Sequence, residues 1–184
     1  MKPLLLTAIA AFSLTPEPPR AGLLSQEPVV AGVRLFYGPG DDFESVDARL
    51  IARARETIDM AAYVLTDRAV ASALGRAAMR GVRVRVYIDG EETGRGGGGA
   101  LDQIAATQNV ELRRKGRSRD LMHLKSFAVD GRLLRTGSAN FSVSGVEFQD
   151  NDLIVIESPA AVDKFEKAFE RLWTRSDNLR IGAR

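Results

Sequence analysis

The sequence predicts an α/β fold: a single layered domain with a mixed, mainly parallel central sheet that is flanked by helices on both faces. Three observations support this prediction. Short β-branched and apolar runs alternate with stretches of helical periodicity. The length of 184 residues suits one well-buried domain. The hairpin-like spacing around Gly131 indicates that the sheet is mixed rather than wholly parallel.

The first half of the domain predicts strands and helices in alternation. Asp41 or Asp42 follows a Gly-Pro-Gly turn and is a suitable N-cap for the first helix. Gly81 is a suitable end for the second helix. The predicted elements are a strand at 29–37, a helix at 43–57, a strand at 58–65, a helix at 67–80 and a strand at 82–89.

The second half begins with a glycine run at 94–99, which lacks the Gly-Lys-Ser/Thr ending of a phosphate loop and therefore predicts a surface loop. The last helix is amphipathic, with apolar residues such as Phe165 and Phe169 at helical spacing. The predicted elements are a helix at 101–107, strands at 109–114, 123–130, 133–136 and 152–157, and a helix at 160–174.

The amino terminus predicts a targeting segment outside the fold. Lys2 precedes an apolar run at 4–14 and a proline-rich stretch, and the run is shorter than the roughly 20 residues that span a bilayer. Residues 1–25 therefore predict a secretory signal, with a secreted or periplasmic protein, or alternatively a membrane anchor. The catalytic domain is expected at 29–180. The absence of cysteine excludes disulfides and thiolate metal sites.

A basic run precedes the only histidine, His123. Its residues attract phosphate groups, whether of nucleic acid or of an anionic lipid surface, although a solvated arginine-rich loop is the simpler alternative. The net charge of +2 does not distinguish these alternatives. No obvious apolar lid or aromatic patch flanks the histidine in the sequence. The basic residues are Arg113, Arg114, Lys115, Arg117 and Arg119.

The segment around His123 predicts a phosphate site. In a strand, residues two apart share a face, so the side chains of His123 and Lys125 are expected to point together. A hairpin turn after Asp130 would bring Ser138 and Asn140 beside them. An imidazole, an ammonium group and two neutral donors suit a tetrahedral phosphate. Taken singly, each residue is more often structural, and the joint spacing favours the site.

The pattern His-x-Lys-x4-Asp-x6-Gly-Ser-x-Asn resembles the phospholipase D superfamily, and the resemblance extends from about Val33 to Trp173. The chain is similar to the small exported bacterial endonucleases that carry one copy of the motif. The resemblance implies metal-independent phosphodiester hydrolysis without a cofactor. It implies that His123 forms a phosphohistidine, that Lys125 and Asn140 bind nonbridging oxygens, that Ser138 supports them, and that Asp130 is chiefly structural.

With one histidine per chain, the second imidazole is expected from a second copy in a two-fold homodimer with the active site at the interface. Nucleic acid is the favoured substrate, cleaved as by a non-specific endonuclease, and a phospholipid such as phosphatidylcholine or cardiolipin is the alternative. Membrane association through the amino terminus is a further expectation.

The resemblance leaves one position open. Relatives orient a histidine with a glutamate about eleven residues after the motif asparagine, where this chain has Asn151. Asp150 or Asp152 is the expected substitute, or both simply cap a loop. Two other functions stay open: a magnesium-dependent nuclease that uses these aspartates, and a non-catalytic nucleic-acid or membrane-binding module.

Overall fold

The computed structural model describes residues 32–90, 98–116 and 120–182. The described elements are, in chain order, β1 (Val33–Tyr37), α1 (Phe43–Ala52), β2 (Thr57–Ala62), α2 (Arg68–Met79), β3 (Arg83–Ile88), α3 (Gly98–Ala105), β4 (Val110–Arg114), β5 (Lys125–Val129), β6 (Leu133–Gly137), α4 (Val143–Glu147), β7 (Asp152–Glu157), α5 (Pro159–Trp173) and β8 (Leu179–Ile181). The strands form one sheet in the order β1-β7-β6-β5-β2-β3-β4-β8.

The sheet is mixed, as the sequence predicts, but the expectation that it is mainly parallel is wrong. Strand β3 pairs in parallel with β2 and with β4, whereas the other five pairings of the described strands are antiparallel. Parallel neighbours need a long crossover, and α2 and α3 provide it only between β2, β3 and β4. The short turn at 130–132 forces β5 and β6 to run antiparallel.

Helices cover both faces of the sheet, as predicted. Alternate residues of β2 supply the two cores: Ile58 and Met60 belong to the cluster that includes α1, α2 and α3, and Ala61 belongs to the cluster that includes α5. Helix α5 contributes its apolar stripe, including Phe165 and Phe169, to that second cluster. The sheet is therefore buried on both sides, and its functional groups must lie at strand ends.

Helix α1 begins as predicted and ends earlier. The side chain of Asp42 accepts a hydrogen bond from the Ser45 backbone N–H at 2.9 Å and so acts as the N-cap. The helix ends at Ala52 rather than at 57, because the Asp130 carboxylate binds the backbone N–H groups of residues 55–57 and holds them extended. Helix α4 and strand β8 were not expected from the sequence.

Two predictions lie wholly or partly outside the described residues. The targeting segment at 1–25 is one, and the glycine run at 94–99 is the other, of which only Gly98 and Gly99 are described, within α3. In the part of the chain that the structure describes, no helix is both long enough and apolar enough to cross a membrane.

Candidate active site

His123 and Lys125 meet at the start of β5. The strand begins at Lys125, so His123 lies two residues before it and not within it as predicted, and its side chain is exposed. Lys125 is buried, and its Nζ donates to the His123 carbonyl oxygen at 2.8 Å. The two residues are thus held together by a side-chain-to-backbone contact rather than by strand alternation.

Tyr63, just past the end of β2, forms the floor of the site. Its ring centroid lies 4.5 Å from that of His123 and 4.7 Å from the Lys125 Nζ. Its backbone N–H donates to the Leu124 carbonyl at 2.8 Å, which fixes the segment between them. The aromatic face attracts the lysine cation and limits the positions of the imidazole. The sequence analysis missed this residue, and its only signal is an aromatic side chain at the end of a buried strand.

The segment that leads into His123 is anchored by buried charged groups. Asp89, directly after β3, accepts a hydrogen bond from the Met122 backbone N–H at 2.7 Å. The Lys115 ammonium contacts the Asp120 carbonyl oxygen. Lys115 is therefore committed to the fold, and its prediction as a substrate-binding residue is wrong. A loop that must deliver an exposed histidine is fixed here by a carboxylate and an ammonium group that the sequence pattern did not reveal.

The other members of the basic run are only partly placed. Arg113 packs its guanidinium 4.2 Å from the Trp173 ring centroid and donates to the Trp173 carbonyl at 2.6 Å, so it too serves the fold. Arg114 is the half-buried last residue of β4. Arg117 and Arg119 lie outside the described residues.

Arg135, on β6, joins the two halves of the motif. Its Nη1 donates to the Lys125 carbonyl at 2.9 Å and to the Ala139 carbonyl at 3.1 Å. Its Nε and Nη2 each donate to the Asp47 carboxylate at 2.9 Å, and both side chains are 0% exposed. The guanidinium also lies 4.5 Å from the Phe141 ring centroid. One buried cation thus fixes the spacing between the lysine and asparagine segments, and neither member of this pair was predicted.

Ser138 is held by the start of β7. Its hydroxyl donates to the Asn151 Oδ1 at 3.0 Å and accepts from the Asp152 backbone N–H at 2.9 Å. Its own N–H donates to the Asp152 carboxylate at 2.9 Å, and hydrogen bonds from Ser138 lower the pKa of that carboxyl. Asp152 is thus the expected carboxylate that reaches the motif, through Ser138, whereas Asp150 is an exposed loop residue.

Asn140 keeps its side chain uncommitted. Its Oδ1 is buried and has no hydrogen-bond partner among the described residues. Buried polar atoms are nearly always paired, so an unpaired one calls for an explanation. A polar group brought in by a substrate would supply the missing partner.

Asp130 lies at the other end of the hairpin. Its carboxylate accepts from the backbone N–H groups of Arg55, Glu56 and Thr57 at 3.0, 2.8 and 2.9 Å. Burial alone would raise the pKa of this carboxyl, but these hydrogen bonds and Arg132 outweigh it and lower the pKa. The contacts of Asp130 are those of a structural residue.

The assembled site has the chemistry of an anion-binding nucleophile. Lys125 forms no ion pair with any residue in the described ranges, and burial lowers the pKa of its ammonium group. Its charge is therefore available to an incoming phosphate. The imidazole of His123 is exposed beside it. Within residues 32–90, 98–116 and 120–182, no cluster of three or more histidine, cysteine or acidic side chains is arranged to hold a metal ion.

Comparison with known proteins identifies the family. Residues 48–173 match the family described as cardiolipin synthase, PLD-like domain. The chain belongs to this phospholipase D-like family. Among curated proteins it is similar to the mitochondrial cardiolipin hydrolase of Xenopus laevis, with 27% identity over 155 residues that cover 82% of this chain and 72% of that protein.

Solved structures agree with this membership. The fold is similar to that of Nuc from Salmonella typhimurium, a phospholipase D family member, with a TM-score of 0.75 and 27% identity over 82% of this chain and 98% of that one. NucT from Helicobacter pylori has the same fold, with a TM-score of 0.73 and 21% identity over 82% of this chain and 98% of that one. The phospholipase D-like fold expected from the motif is confirmed.

Proposed function

We propose that this chain, a phosphodiester hydrolase of the phospholipase D superfamily, reacts through a phosphohistidine on His123. The observation that carries the proposal is the exposed imidazole held beside an ammonium group without an acidic partner. Lys125 and the uncommitted amide of Asn140 bind the nonbridging oxygens. Tyr63 and Arg135 hold these groups in place.

The reaction takes two displacements. An imidazole nitrogen of His123 attacks phosphorus, a P–N bond forms, and the P–O bond to the leaving group breaks. Water then attacks phosphorus, the P–N bond breaks, and the imidazole is regenerated. The leaving oxygen gains one proton and the attacking water loses one, so the sum is hydrolysis of a diester to a monoester and an alcohol. No metal ion is required.

A second copy of the chain supplies the proton transfers. The chain has one histidine, which cannot act as acid or base while it carries phosphorus. In a two-fold dimer whose motifs face each other, the partner subunit's His123 protonates the leaving oxygen and then deprotonates water. Leu121 and Leu124 flank His123 with exposed side chains, and a facing copy would cover them. Sedimentation analysis of the active protein tests this, and activity in a strictly monomeric species would contradict it.

Nucleic acid is the proposed substrate, and phospholipid is the second candidate. The sequence showed no apolar patch near the motif, but the structure shows one: Val143 on α4 and Phe148 at its end are exposed, Phe148 by 73%. Such side chains suit insertion into a membrane interface. The similarity to a protein named cardiolipin hydrolase supports this second candidate.

Parallel incubations discriminate the substrates. The purified protein is incubated with plasmid DNA, RNA, phosphatidylcholine vesicles and cardiolipin vesicles, each with a chelator present. We expect cleavage of DNA or RNA that persists in the chelator, whereas headgroup release alone would establish the lipid enzyme. Cleavage that the chelator abolishes would instead establish a metal-dependent nuclease.

The covalent step is tested separately. Acid-quenched reactions are digested and the peptide that contains His123 is weighed. We expect an acid-labile phosphoryl adduct on this peptide in the wild type. A His123→Ala variant should lose turnover and keep its substrate affinity. If the variant retains turnover, the nucleophile is wrong, and if no wild-type adduct accumulates at any time point, the two-step reaction is wrong.

We further propose that residues 1–25 direct export, with a retained membrane anchor as the alternative. The apolar run and the proline-rich stretch of the sequence support this. The intact mass of the protein recovered from the periplasm or the medium is the test. A mass that lacks the first residues indicates a cleaved signal, and a full-length mass in the membrane fraction indicates an anchor.

A further inference from the structure

A cleft lined by four arginines lies at the end of the β5–β6 hairpin remote from His123. It has a volume of about 560 Å³. Its lining residues are Ala52, Arg53, Ala54, Arg55, Arg80 and Arg132, which we call the arginine cleft. The cleft brings together the link between α1 and β2, the end of α2 and the turn after β5. Four intervals along β5, at about 3.3 Å each, place it roughly 13 Å beyond Lys125.

The positive charge of the arginine cleft is largely unbalanced. Arg53 and Arg55 form no side-chain ion pair with any residue of the described ranges, and both are exposed. The carboxylate that contacts the cleft residues is that of Asp130, which already accepts backbone hydrogen bonds from Arg55 and its two successors. Its distance to the Arg132 guanidinium is 3.7 Å, longer than a hydrogen bond.

One guanidinium of the cleft is already positioned. The Arg80 Nη2 donates to the Ala52 and Ala54 carbonyl oxygens at 3.1 and 3.3 Å. It therefore sits at the cleft wall without needing a ligand to order it. Four guanidinium groups around one space repel each other, and a bound anion would relieve that repulsion.

We propose that the arginine cleft is a second phosphate-binding site and that it takes the phosphodiester backbone of a nucleic acid. Guanidinium forks match phosphate oxygens in pairs. The only apolar side chains in the lining are two alanines, so the cleft offers no surface for stacking a base or burying an acyl chain. It therefore contacts phosphates regardless of sequence. The proposal rests on the proposed function only in naming nucleic acid as the polymer.

The experiment compares two variants that each remove two positive charges. Arg53→Gln/Arg55→Gln changes the cleft, and Lys164→Gln/Arg171→Gln changes exposed residues of α5 as a matched control. Both are made in a His123→Ala background, so that a fluorescent 30-base-pair DNA duplex stays intact. Binding is measured by anisotropy between 50 and 200 mM salt. Near-ultraviolet circular dichroism verifies that both variants are folded.

Each lost phosphate contact lowers the slope of log K against log[salt] by about 0.9. Two lost contacts make the cleft variant about 12-fold less sensitive to this fourfold change in salt than the parent, and its affinity at 50 mM is lower. The control variant should keep the parent slope. Equal slopes for the parent and the cleft variant, or an equal loss in the control, would overturn the proposal.

Two further arms separate the alternatives. If the cleft variant loses binding to cardiolipin vesicles while its DNA binding is unchanged, the site serves lipid and the assignment to nucleic acid is wrong. Turnover of a small soluble diester, bis(4-nitrophenyl) phosphate, by the wild-type protein tests the hydrolase function alone. A protein that binds DNA through the cleft without hydrolysing any diester would refute the proposed function and leave the arginine cleft standing.

Discussion

The buried pair of Arg135 and Asp47 offers the sharpest test of how the motif is held. The perturbation is a set of three variants: Arg135→Met, Asp47→Leu and the double variant. In the wild type the guanidinium makes two hydrogen bonds to Asp47 and two to backbone carbonyls, all between 2.9 and 3.1 Å. Both side chains are fully buried, so removal of one leaves an uncompensated charge.

The magnitudes follow from that burial. Breaking one partner of a buried ion pair costs about 3–5 kcal/mol, a third or more of the stability of a typical domain. Replacing both partners by apolar residues is often close to neutral. We therefore expect each single variant to lose about 3–5 kcal/mol in urea unfolding, and the double variant to recover at least about 2 kcal/mol of that loss.

Activity should not follow stability. The double variant still lacks the donor that ties the Lys125 and Ala139 carbonyls together, so the ammonium of Lys125 and the amide of Asn140 lose their fixed spacing. A misplacement of about 1 Å costs on the order of 100-fold in rate. We expect a fall of that size in kcat on a small diester, measured well below the unfolding transition.

The matched control is the Asp59–Arg85 pair, which has the same forked geometry at 2.7 and 2.6 Å but contacts no motif residue. Asp59→Leu/Arg85→Met should change stability and leave kcat within about twofold, because the pair belongs to the α5 face. The reasoning is refuted if the Arg135 double variant recovers both stability and wild-type kcat. It is also refuted if the control pair lowers kcat equally.

Three other outcomes are expected. Asp130→Asn should lose about 1–3 kcal/mol at pH 7; because hydrogen bonds hold the folded pKa of Asp130 below 3.8, urea unfolding should show the full difference above about pH 5 and a shrinking one as the pH falls through the folded value, whereas a pH-independent difference would contradict this. Tyr63→Leu should lower kcat/KM roughly tenfold in steady-state assays and Tyr63→Phe much less, because the ring face holds the Lys125 cation; equal losses would assign the effect to the hydroxyl. Burial lowers the pKa of Lys125, so the alkaline fall in kcat/KM should occur below pH 10.5, and a pH–rate profile flat to that value would exclude a role for its charge.

The sequence predicted the motif and the alternation of strands and helices because both have local causes. Apolar periodicity follows from burial of one helix face, and the turn at Gly131 follows from a residue with φ +65° that suits glycine. Asp42 was placed correctly because a cap is a short-range contact. The mostly antiparallel pairing was missed because strand order depends on contacts between distant segments.

The supports of the site were missed for the same reason. Asp47 and Arg135 are 88 residues apart, and nothing in the helical pattern of α1 marks Asp47 as buried. Lys115 was taken for a surface charge because a basic run looks solvated, yet its ammonium is bound to a carbonyl. The side chains that do the proposed chemistry were visible in the spacing, whereas those that position them became visible only in three dimensions.

The unpaired groups of the site have a common explanation in the proposed reaction. A buried ammonium without a carboxylate and a buried amide oxygen without a donor both destabilise the free protein. Neither is needed to hold β5 or β6, since Arg135 and the β7 contacts of Ser138 already do so. Groups that are held in place by others but lack partners of their own are preorganised for a ligand. Phosphate charge beside Lys125 and a polar group beside Asn140 would satisfy both at once, and most strongly where negative charge builds up on the nonbridging oxygens.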